Sequence, residues 1–560
     1  MRVAVVGGGI AGLYATYRLL RHSKSQFEIQ LFDSDRRLGG RIRSQEIPGI
    51  PFRAELGAMR FPTRHHLLVS LIEHLGIKTA KFDVGSSRLY VRGRHLTLTE
   101  LVDGYCHECR AGIPYSLKDH ERGKSPGDLV KHAIAEFLKD LTFSHADAAT
   151  AYNLRTRVRE EGVDCIAKHW RKIREVGRYH GIPLHNIGFW NLLQHYLSNE
   201  AFEYIHVALG LDSVLGNWSV AVAIPWFLAD FGLDTYQMIP GGTERLVDKL
   251  EDKISQDCTI RKERSVVAIH REGDGWKLRH KGKEGEPEED VFDFVVLAVS
   301  RHALEKLGVN GCAEWPPHWL KQVRSHRLFK LFLLYEDAWW KGVFESDTGR
   351  ISTDIPLRQI FYFGPEWMKE HGYPTGLQAP EGTQHWGLIM ASYSDEHSAS
   401  FWHSPDLPFE TDAAQEEYYG APYYREPLGR SAEEDKKLLR AIADDLRARE
   451  RTVRKVQKLL QEIHDDIDIP DPVIGVFKDW GDVPFSGGWH TWEIGTTPWR
   501  LPDRHKVADG LFVCGEAYSD EQGWIEGALK SVELFLATLG VAAPKWWDGS
   551  EEDLIDYITP

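Results

Sequence analysis

One short segment of the chain places a single cation among small and apolar residues. Gly57, Ala58, Met59 and Arg60 follow one another directly, and Phe61 and Pro62 come next. A guanidinium group is planar and always charged, and its N–H pairs match the two oxygens of a carboxylate. Arg60 is therefore predicted to bind the carboxylate of a small molecule.

A glycine-rich turn at the start of the chain predicts what lies beside that arginine. Residues 2–7 form an apolar, β-rich run, followed by Gly7, Gly9, Ile10, Ala11 and Gly12 in a GxGxxG pattern. A helix pattern comes next, and a second strand pattern ends at Asp33. Such glycines let the backbone approach a pyrophosphate at a helix N-terminus, and an acid after the second strand suits a ribose hydroxyl. This order predicts a dinucleotide site with Asp33 as the ribose ligand.

Further motifs favour FAD over NAD. Gly40 and Arg41 add a second glycine turn after Asp33, and no second GxGxxG motif offers a nicotinamide site. Near the other end of the chain, an apolar strand pattern ends in Gly515 and Glu516 and leads to a helix start at Gly523, Trp524 and Ile525. The positive end of that helix would face the anionic charge of a reduced flavin. All of these residues, together with Gly57, Ala58, Met59 and Arg60, are predicted to line the FAD site.

The composition favours a globular protein that binds small molecules. The chain has 560 residues, of which 42% are hydrophobic, enough for two or three lobes. Its formal charge of −15 argues against nucleic acid as a partner. No apolar run has the length of a membrane helix, and Met1 leads directly into the first strand pattern. No membrane partner and no metal are therefore predicted, and the expected location is cytoplasmic.

Together these motifs resemble the flavin monoamine oxidase superfamily, and within it the L-amino-acid oxidase branch, over nearly the whole chain. Gly7 to Gly12, Asp33 and the Gly40–Arg41 turn match the start of that family's FAD site, and Glu516 with Gly523 to Ile525 matches its end. Val266 falls where the family makes a backbone contact to the adenine. The chain is also similar overall to bacterial L-arginine oxidases.

The fold expected from the patterns and the resemblance is α/β. It has a Rossmann-like (GR2-type) discontinuous FAD-binding domain, a mixed α+β substrate domain and a helical subdomain. The FAD-binding domain is predicted over residues 1–63, 237–325 and 500–545. The substrate domain is predicted over 64–124 and 326–499, with a surface insertion at 403–435, and the helical subdomain over 125–236. A charged helix over about 435–463 is expected to be a packing or subunit surface, in a homo-oligomer that is a dimer or larger.

Three matches to the family imply roles for single residues. Arg60 would hold the substrate carboxylate, and Tyr362 would donate a hydrogen bond to the same carboxylate. Lys330, on the apolar strand pattern that begins at Leu328, would be the catalytic lysine that holds a water molecule near flavin N5. A buried ammonium is costly unless it is used or paired, which agrees with a functional Lys330.

The sequence also departs from the monoamine oxidases. They attach the flavin through the cysteine of a Ser-Gly-Gly-Cys run, whereas this chain has Ser486-Gly487-Gly488-Trp489. Non-covalent FAD is therefore predicted. The aromatic cage around the substrate amine is expected to consist of Trp524 on one side and Trp489 or His490 on the other.

The resemblance implies oxidative deamination of an L-amino acid by hydride transfer from Cα to flavin N5. The products would be a 2-oxo acid and ammonia, with O₂ reduced to H₂O₂. Asp234 and Glu493 are predicted at the pocket wall, where either could bind a basic side chain, and the sequence favours L-arginine as substrate. The many tryptophans leave an aromatic L-amino acid open. Tryptophan 2-monooxygenase-like decarboxylation to an amide, polyamine or monoamine oxidation, and a flavin-containing scaffold without turnover remain alternatives.

Overall fold

The computed structural model describes most of the chain. The described ranges are residues 1–23, 26–47, 53–106, 111–144, 169–230, 235–344, 346–371, 386–402, 420–425, 439–440, 442–465, 467–501 and 505–558, with isolated residues between 147 and 166. Asp234 lies outside them, as does the predicted surface insertion at 403–435 apart from residues 420–425.

A six-stranded sheet, here called the nucleotide sheet, draws its strands from three distant parts of the chain. Their order across the sheet is Cys258–Arg261, Glu28–Phe32, Arg2–Val6, Phe294–Leu297, Leu511–Val513 and Lys506–Ala508. Only the last of these strands pairs antiparallel to its neighbour. Parallel strands are covered on both faces, which explains why Val3 to Val6 are all apolar and buried.

Helices cover one face of the nucleotide sheet, and a small antiparallel sheet covers the other. Val3 and Val5 pack in the helical core, formed by helices Ile10–His22, His66–His74, Glu244–Ile254, Ile525–Thr538 and Glu551–Ile558. Ala4 and Val6 face the second core, which includes the strands Ser265–Glu272, Gly275–Lys281, Glu288–Phe292 and Gly308–Asn310. Helices His66–His74 and Glu551–Ile558 thus pack with the nucleotide lobe, outside the boundaries predicted for it, because their apolar sides complete its core.

A seven-stranded sheet, here called the substrate sheet, forms the second lobe. Its order is Ile474–Asp479, Leu328–Tyr335, Gly387–Asp395, Gln359–Phe363, Thr348–Thr353, Ser87–Val91 and Arg94–Thr97. Side chains alternate between two separate cores, so that Phe332 and Leu334 face one and Leu331 and Leu333 face the other.

The helix predicted over about 435–463 begins only at Glu450 and ends at Ile463. Residues 439 and 440 are helical, but residues 442–449 have another conformation, because a short 3₁₀ turn, Asp444–Leu446, leads into extended backbone at Arg447 and Ala448. The N–H of Ala448 bonds to the Gly475 carbonyl at 2.9 Å, which ties this segment to the edge of the substrate sheet. The helix then buries Val453, Val456 and Leu460 against that sheet.

A group of helices packs beside both sheets. Its members lie within residues 125–236, the range predicted for the helical subdomain. Its members are Pro126–Lys139, Trp170–Val176, Phe189–Tyr196, Asn199–Leu209 and Val220–Asp230. Ser125 and Asp128 form a capping box that fixes the start of the first of these helices.

Shorter elements complete the fold. The paired short strands are Ser44–Glu46 with Arg53–Glu55, Tyr236–Met238 with Phe61–Pro62 and Ala80–Lys81, and Val323–His326 with Trp489–Trp492. The remaining short helices are Leu98–Asp103, Arg301–Lys306, Lys341–Phe344, Pro365–Glu370 and Glu396–Ser400. The remaining short strands are Tyr105–Cys106, Ala111–Gly112, Leu141–Thr142, Arg178–Tyr179 and Ile182–Pro183. Within the described ranges, no helix is both long enough and apolar enough to cross a bilayer. The architecture confirms the α/β fold class.

Candidate active site

A cavity of about 1560 Å³ is lined by residues of both lobes. Its cofactor half is defined by the glycine turn at Gly7, by Asp33, Val266 and Gly515, and by the residues around them. Its substrate half is defined by Arg60, Lys330, Arg350, Tyr393 and Trp489. Because the two halves are continuous, a dinucleotide bound in one can present its reactive ring to a molecule bound in the other.

Gly7, Gly9 and Gly12 of the first turn are each glycine for a different structural reason. Gly7 has φ +102°, and a Cβ there would lie 2.3 Å from the Ala298 carbonyl oxygen. Gly9 has no protein atom within 4 Å of where a Cβ would stand, and it lines the cavity. Gly12 does not line the cavity: its Cβ would lie 1.9 Å from the Gly7 carbonyl oxygen, so it allows close packing of helix on strand. The assignment of Gly12 to cofactor contact is corrected accordingly.

Asp33 stands at the cavity wall, at the end of its strand. One of its oxygens accepts the Gly8 N–H at 2.6 Å, and the other accepts the Asp35 N–H at 2.8 Å. Burial raises the pKa of this carboxyl, which the two N–H groups oppose. The carboxylate is thereby oriented toward the cavity with lone pairs left for hydroxyl donors.

Glu516 joins three segments behind the cavity wall. Its carboxylate pairs with Arg41 at 2.8 Å and His490 at 2.9 Å, and it accepts the Gly523 N–H at 2.6 Å. Burial alone would raise the pKa of Glu516, but Arg41 and His490 lower it to about 2. His490 is thus engaged with Glu516 and is not among the lining residues, so it does not form the cage wall that the sequence offered as an alternative to Trp489.

The cofactor half fits FAD. With the exception of Gly12, every residue predicted to bind the cofactor lines this cavity. Helix Ile10–His22 begins at the glycine turn with no acidic residue in its first turn, so its N-terminal N–H groups are suited to a pyrophosphate. No cysteine is among the described lining residues, which agrees with a flavin held without a covalent bond.

Arg60 projects into the substrate half among three aromatic rings. Its guanidinium carbon lies 4.5 Å from the centre of the Tyr236 ring, 5.4 Å from Phe82 and 5.9 Å from Phe361. Among the described residues it has no hydrogen bond and no ion pair, so its planar fork is available to an anion. Aromatic faces stabilise the cation without occupying its N–H donors.

Lys330 is 2% exposed and reaches toward the loop that carries Arg60. Its ammonium donates to the Gly57 carbonyl at 2.7 Å and the Glu55 carbonyl at 3.2 Å, and it lies 4.7 Å from the centre of the Tyr393 ring. Burial lowers the pKa of Lys330, and burial likewise raises the pKa of the nearby Glu55 carboxyl. The two hydrogen bonds hold the Lys330 amine at the junction of the two halves, beside the Glu55 carboxyl.

Two tryptophans predicted to form the cage line the cavity. Trp489 stacks on Trp226 with ring centres 5.8 Å apart, and Trp524 stacks on Tyr236 at 6.3 Å. Gly523 brings them together, because a Cβ at that position would lie 3.0 Å from the Trp489 ring. These rings give the substrate half broad apolar walls.

Two predicted substrate contacts are wrong. Tyr362 is fully buried on the opposite face of the substrate sheet, where its hydroxyl bonds to His464 at 2.8 Å. Strand alternation is the reason, because Phe361 is the neighbour that faces Arg60. Glu493 follows the strand Trp489–Trp492 in a turn, with its N–H bonded to the Gln322 carbonyl at 2.8 Å, and it does not line the cavity. Asp234 lies outside the described residues.

The structure adds Tyr393, Gln359 and Arg350 to the substrate half. Gln359 and Lys330 both pair with Tyr393 across the sheet, and Arg350 pairs with Phe361. A bulge in strand Gly387–Asp395, near Ala391 and Ser392, turns Tyr393 to the face that Met390 occupies. Simple alternation would place Tyr393 on the other face. A charged residue on an apolar strand was the one sequence pattern that could have identified Arg350.

The family model described as "Flavin containing amine oxidoreductase" matches residues 10–406 and 401–532. The chain is 22% identical to achacin of Lissachatina fulica over 95% of this chain and 91% of achacin. It is 31% identical to an L-amino-acid oxidase of Mus musculus over 64% of this chain and 51% of that protein. A solved putrescine oxidase double mutant superposes with a TM-score of 0.61 at 15% identity, covering 96% of this chain and 99% of that one, and it shows the shared fold.

A nucleotide site with the features that FAD requires thus opens into a pocket that contains a buried lysine, tryptophan walls and a guanidinium with no ion pair in the described part of the chain. The family match covers nearly the whole of this architecture, and the cofactor is FAD. The chain belongs to the flavin-containing amine oxidoreductase family.

Proposed function

We propose that the protein oxidises L-amino acids to 2-oxo acids and ammonia, with O₂ reduced to H₂O₂. The observation that carries the proposal is Arg60, an unpaired guanidinium among the described residues, in a pocket continuous with the FAD site. Simple amines have no carboxylate and would leave that charge without a partner. The name of the Mus musculus relative, an L-amino-acid oxidase, supports the same reaction.

Bound FAD accepts two electrons and a hydrogen from the substrate and passes the electrons on to O₂. The glycine turn, Asp33, Val266 and the start of helix Ile525–Thr538 would hold it without a covalent bond. Acid precipitation should therefore release all of the yellow colour into the supernatant. Colour retained in the protein pellet would contradict non-covalent binding.

The pocket residues bind and orient the substrate. Arg60 would grip the α-carboxylate, and Tyr393, a cavity-lining phenol whose pKa is raised by burial and lowered by the charge of Arg60, would take the role predicted for Tyr362. Trp489 and Trp524 would align the amino group and exclude water, so that the Cα–H bond faces the FAD site at near-attack distance. A dry aromatic environment disfavours the ammonium form and promotes the neutral amine that the oxidation requires.

The described lining residues include no histidine, and this chemistry does not need a strong base. Lys330 would instead supply a fixed positive charge near the place where electrons pass to O₂. Its hydrogen bonds to the Glu55 and Gly57 carbonyls hold the ammonium in position. Such preorganised charges stabilise developing negative charge at no cost in reorganisation.

The preference for L-arginine loses one of its two predicted acidic contacts. Glu493 does not line the cavity, whereas Asp234 lies outside the described residues and its predicted contact stays a prediction. The apolar surface of Leu209, Leu211, Val214 and Trp226 keeps an aromatic L-amino acid as the second candidate.

Anaerobic titration of the holoenzyme tests the proposal directly. Each of the twenty L-amino acids would be added at matched concentration, with D-amino acids, putrescine and agmatine as controls. At least one L-amino acid should bleach the flavin absorbance, and admission of O₂ should restore it with one H₂O₂ per turnover. Bleaching by the amines alone would overturn the proposal, and bleaching by none would leave a scaffold without turnover.

Product analysis separates deamination from the tryptophan 2-monooxygenase-like alternative. A 2-oxo acid with ammonia is the expected outcome. An amide with CO₂ would replace the proposed reaction by oxidative decarboxylation.

A further inference from the structure

A second guanidinium group lies beside Arg60 in the substrate half. Arg350, on strand Thr348–Thr353, pairs with Phe361 across the sheet, and its guanidinium carbon lies 5.4 Å from the centre of the Phe361 ring. The Arg60 guanidinium carbon lies 5.9 Å from the same centre. The two cations therefore share one aromatic ring and one cavity.

Arg350 has no anionic partner in the described part of the chain. Its one hydrogen bond donates to the neutral Gln359 side-chain oxygen at 2.9 Å, and its Nε atom is buried without a partner. Burial, and then the nearby charge of Arg60, lower the pKa of Arg350 to about 10. A desolvated cation without a counter-ion is costly, so this position is suited to an anion that arrives with the substrate.

The charges around Arg350 favour an acid over a base as that substrate group. Carboxylates do line the cavity, at Asp33, Asp35, Asp445 and Glu516. However, Asp33 lies at the glycine turn, Asp35 is 4.0 Å from Arg37, Asp445 interacts with Arg43, and Glu516 is paired with Arg41. The described residues around Arg60 and Arg350 that line the cavity thus include no carboxylate that could bind an ammonium or guanidinium side chain.

We propose that Arg350 determines substrate class by binding the side-chain carboxylate of an acidic L-amino acid, while Arg60 binds its α-carboxylate. This inference rests on the proposed function. L-Glutamate and L-aspartate carry the required pair of carboxylates on one short chain. Both guanidinium groups lie near the Phe361 ring. One such molecule would bind to both of them, through bidentate contacts of about 2.8 Å at each carboxylate. Gln359, which accepts from Arg350 and donates to the Gly210 carbonyl at 3.3 Å, holds the second arginine in place.

The first experiment needs no variant. Values of kcat/KM would be measured for L-glutamate, L-aspartate, L-glutamine, L-leucine, L-phenylalanine and L-arginine with the wild-type holoenzyme. Glutamate or aspartate should exceed glutamine, which has nearly the shape of glutamate without its charge, by roughly 100-fold or more. Faster oxidation of glutamine, leucine, phenylalanine or arginine would overturn the inference.

Arg350→Met then tests the residue, with Arg88→Met as the matched control. Arg88 pairs with Ile351 on the neighbouring strand and is not among the cavity-lining residues. Arg350→Met should lower kcat/KM for the acidic substrate roughly 100-fold and change that for leucine less than about threefold. An equal loss on both substrates would mean that Arg350 binds the α-carboxylate, and the inference would fail. Arg88→Met should leave the ratio unchanged.

Ligand binding gives a readout that does not depend on turnover. Glutarate, a dicarboxylate that cannot be oxidised at an amine, should raise the Tm of the wild-type holoenzyme more than butyrate does. Arg350→Lys should keep part of that difference and Arg350→Met should abolish it. Equal shifts by glutarate and butyrate in the wild type would contradict the second anion site. If neutral L-amino acids bleach the flavin and acidic ones do not, the proposed function stands and only this inference fails.

Discussion

In the cofactor half of the cavity Asp33, Arg41 and Glu516 have protein partners, whereas in the substrate half two guanidinium groups have no anion among the described residues. Asp33 accepts two backbone N–H groups, and Arg41 pairs with Glu516 at 2.8 Å. The guanidinium of Arg60 lies against aromatic rings and has no anionic partner among the described residues, and that of Arg350 has only a neutral amide as hydrogen-bond partner there. The protein itself pairs these charges of the cofactor half, whereas under the proposed function a substrate would pair with Arg60 and Arg350.

This contrast follows from what each half must recognise. A cofactor that stays bound can be held by backbone shape, and the glycines at Gly7 and Gly9 supply that shape. A substrate that enters and leaves at each turnover is selected by charge, because unpaired buried donors reject molecules that cannot satisfy them. Under the proposed function, the electrostatic cost of the two desolvated guanidinium groups serves selectivity.

The largest effect is expected from breaking the shape of the cofactor half. Gly7→Ala would place a Cβ against a backbone oxygen 2.3 Å away at φ +102°, and it should yield little folded protein and no bound FAD. Gly9→Ala should fold, since no protein atom lies within 4 Å, yet weaken FAD binding by roughly 1–3 kcal/mol through overpacking against the cofactor. Flavin content after gel filtration and the Tm of the apoprotein measure the two effects. Normal FAD affinity in Gly9→Ala would show that this glycine does not approach the cofactor.

The next largest effect is expected from a change at Arg60, whose guanidinium has no anionic partner among the described residues of the substrate half. Arg60→Lys keeps the positive charge and loses the planar fork, so kcat/KM for the best L-amino acid should fall by roughly 100-fold, about 2.7 kcal/mol. The flavin spectrum should stay at wild-type intensity, because the cofactor half is unchanged. Stopped-flow reduction of the flavin gives the rate and the substrate affinity separately. Near-normal turnover would remove the carboxylate assignment.

A smaller effect should distinguish the two faces of the substrate sheet. Tyr393→Phe removes a hydroxyl from the cavity and should lower kcat/KM by about tenfold, the size of one hydrogen bond to a charged group. Tyr362→Phe should leave kcat/KM within about twofold, because that hydroxyl bonds to His464 on the far face. It should instead lower the free energy of unfolding by about 1–3 kcal/mol, since the buried His464 ring loses its hydrogen bond to the Tyr362 hydroxyl. The reverse pattern would restore Tyr362 to the substrate site.

The smallest effect concerns pH and belongs to the same far face. Burial lowers the pKa of His464 to about 3, against about 6.5 in an unfolded chain. Between those values only the unfolded state takes up the proton, so stability should fall as pH falls, by about 1.4 kcal/mol per pH unit from this group. His464→Gln should show a flatter dependence of Tm on pH between 7 and 5. Identical slopes would mean that His464 is protonated in the folded state.

Local sequence predicted most of the cofactor half, because that half uses backbone conformation. The residues of the turn from Gly7 to Gly12, the Gly40–Arg41 turn and the loop from Gly57 to Arg60 each form a contiguous segment with a fixed local shape. Such segments fold in much the same way wherever the flanking strand and helix patterns occur. Lys330 was identified for a related reason, since an ammonium on an apolar strand is costly unless it has a partner or a use.

The sequence alone therefore determined the nucleotide motif, the family and the presence of an arginine beside the cofactor site. Only the tertiary structure decided which side chains meet that arginine. The bulge near Ala391 turns Tyr393 into the cavity, strand phase turns Tyr362 away, and sheet register brings Arg350 to the ring beside Arg60. A one-residue change in the phase of a strand reverses the face of every side chain after it, and that phase is fixed by neighbouring strands far away in sequence.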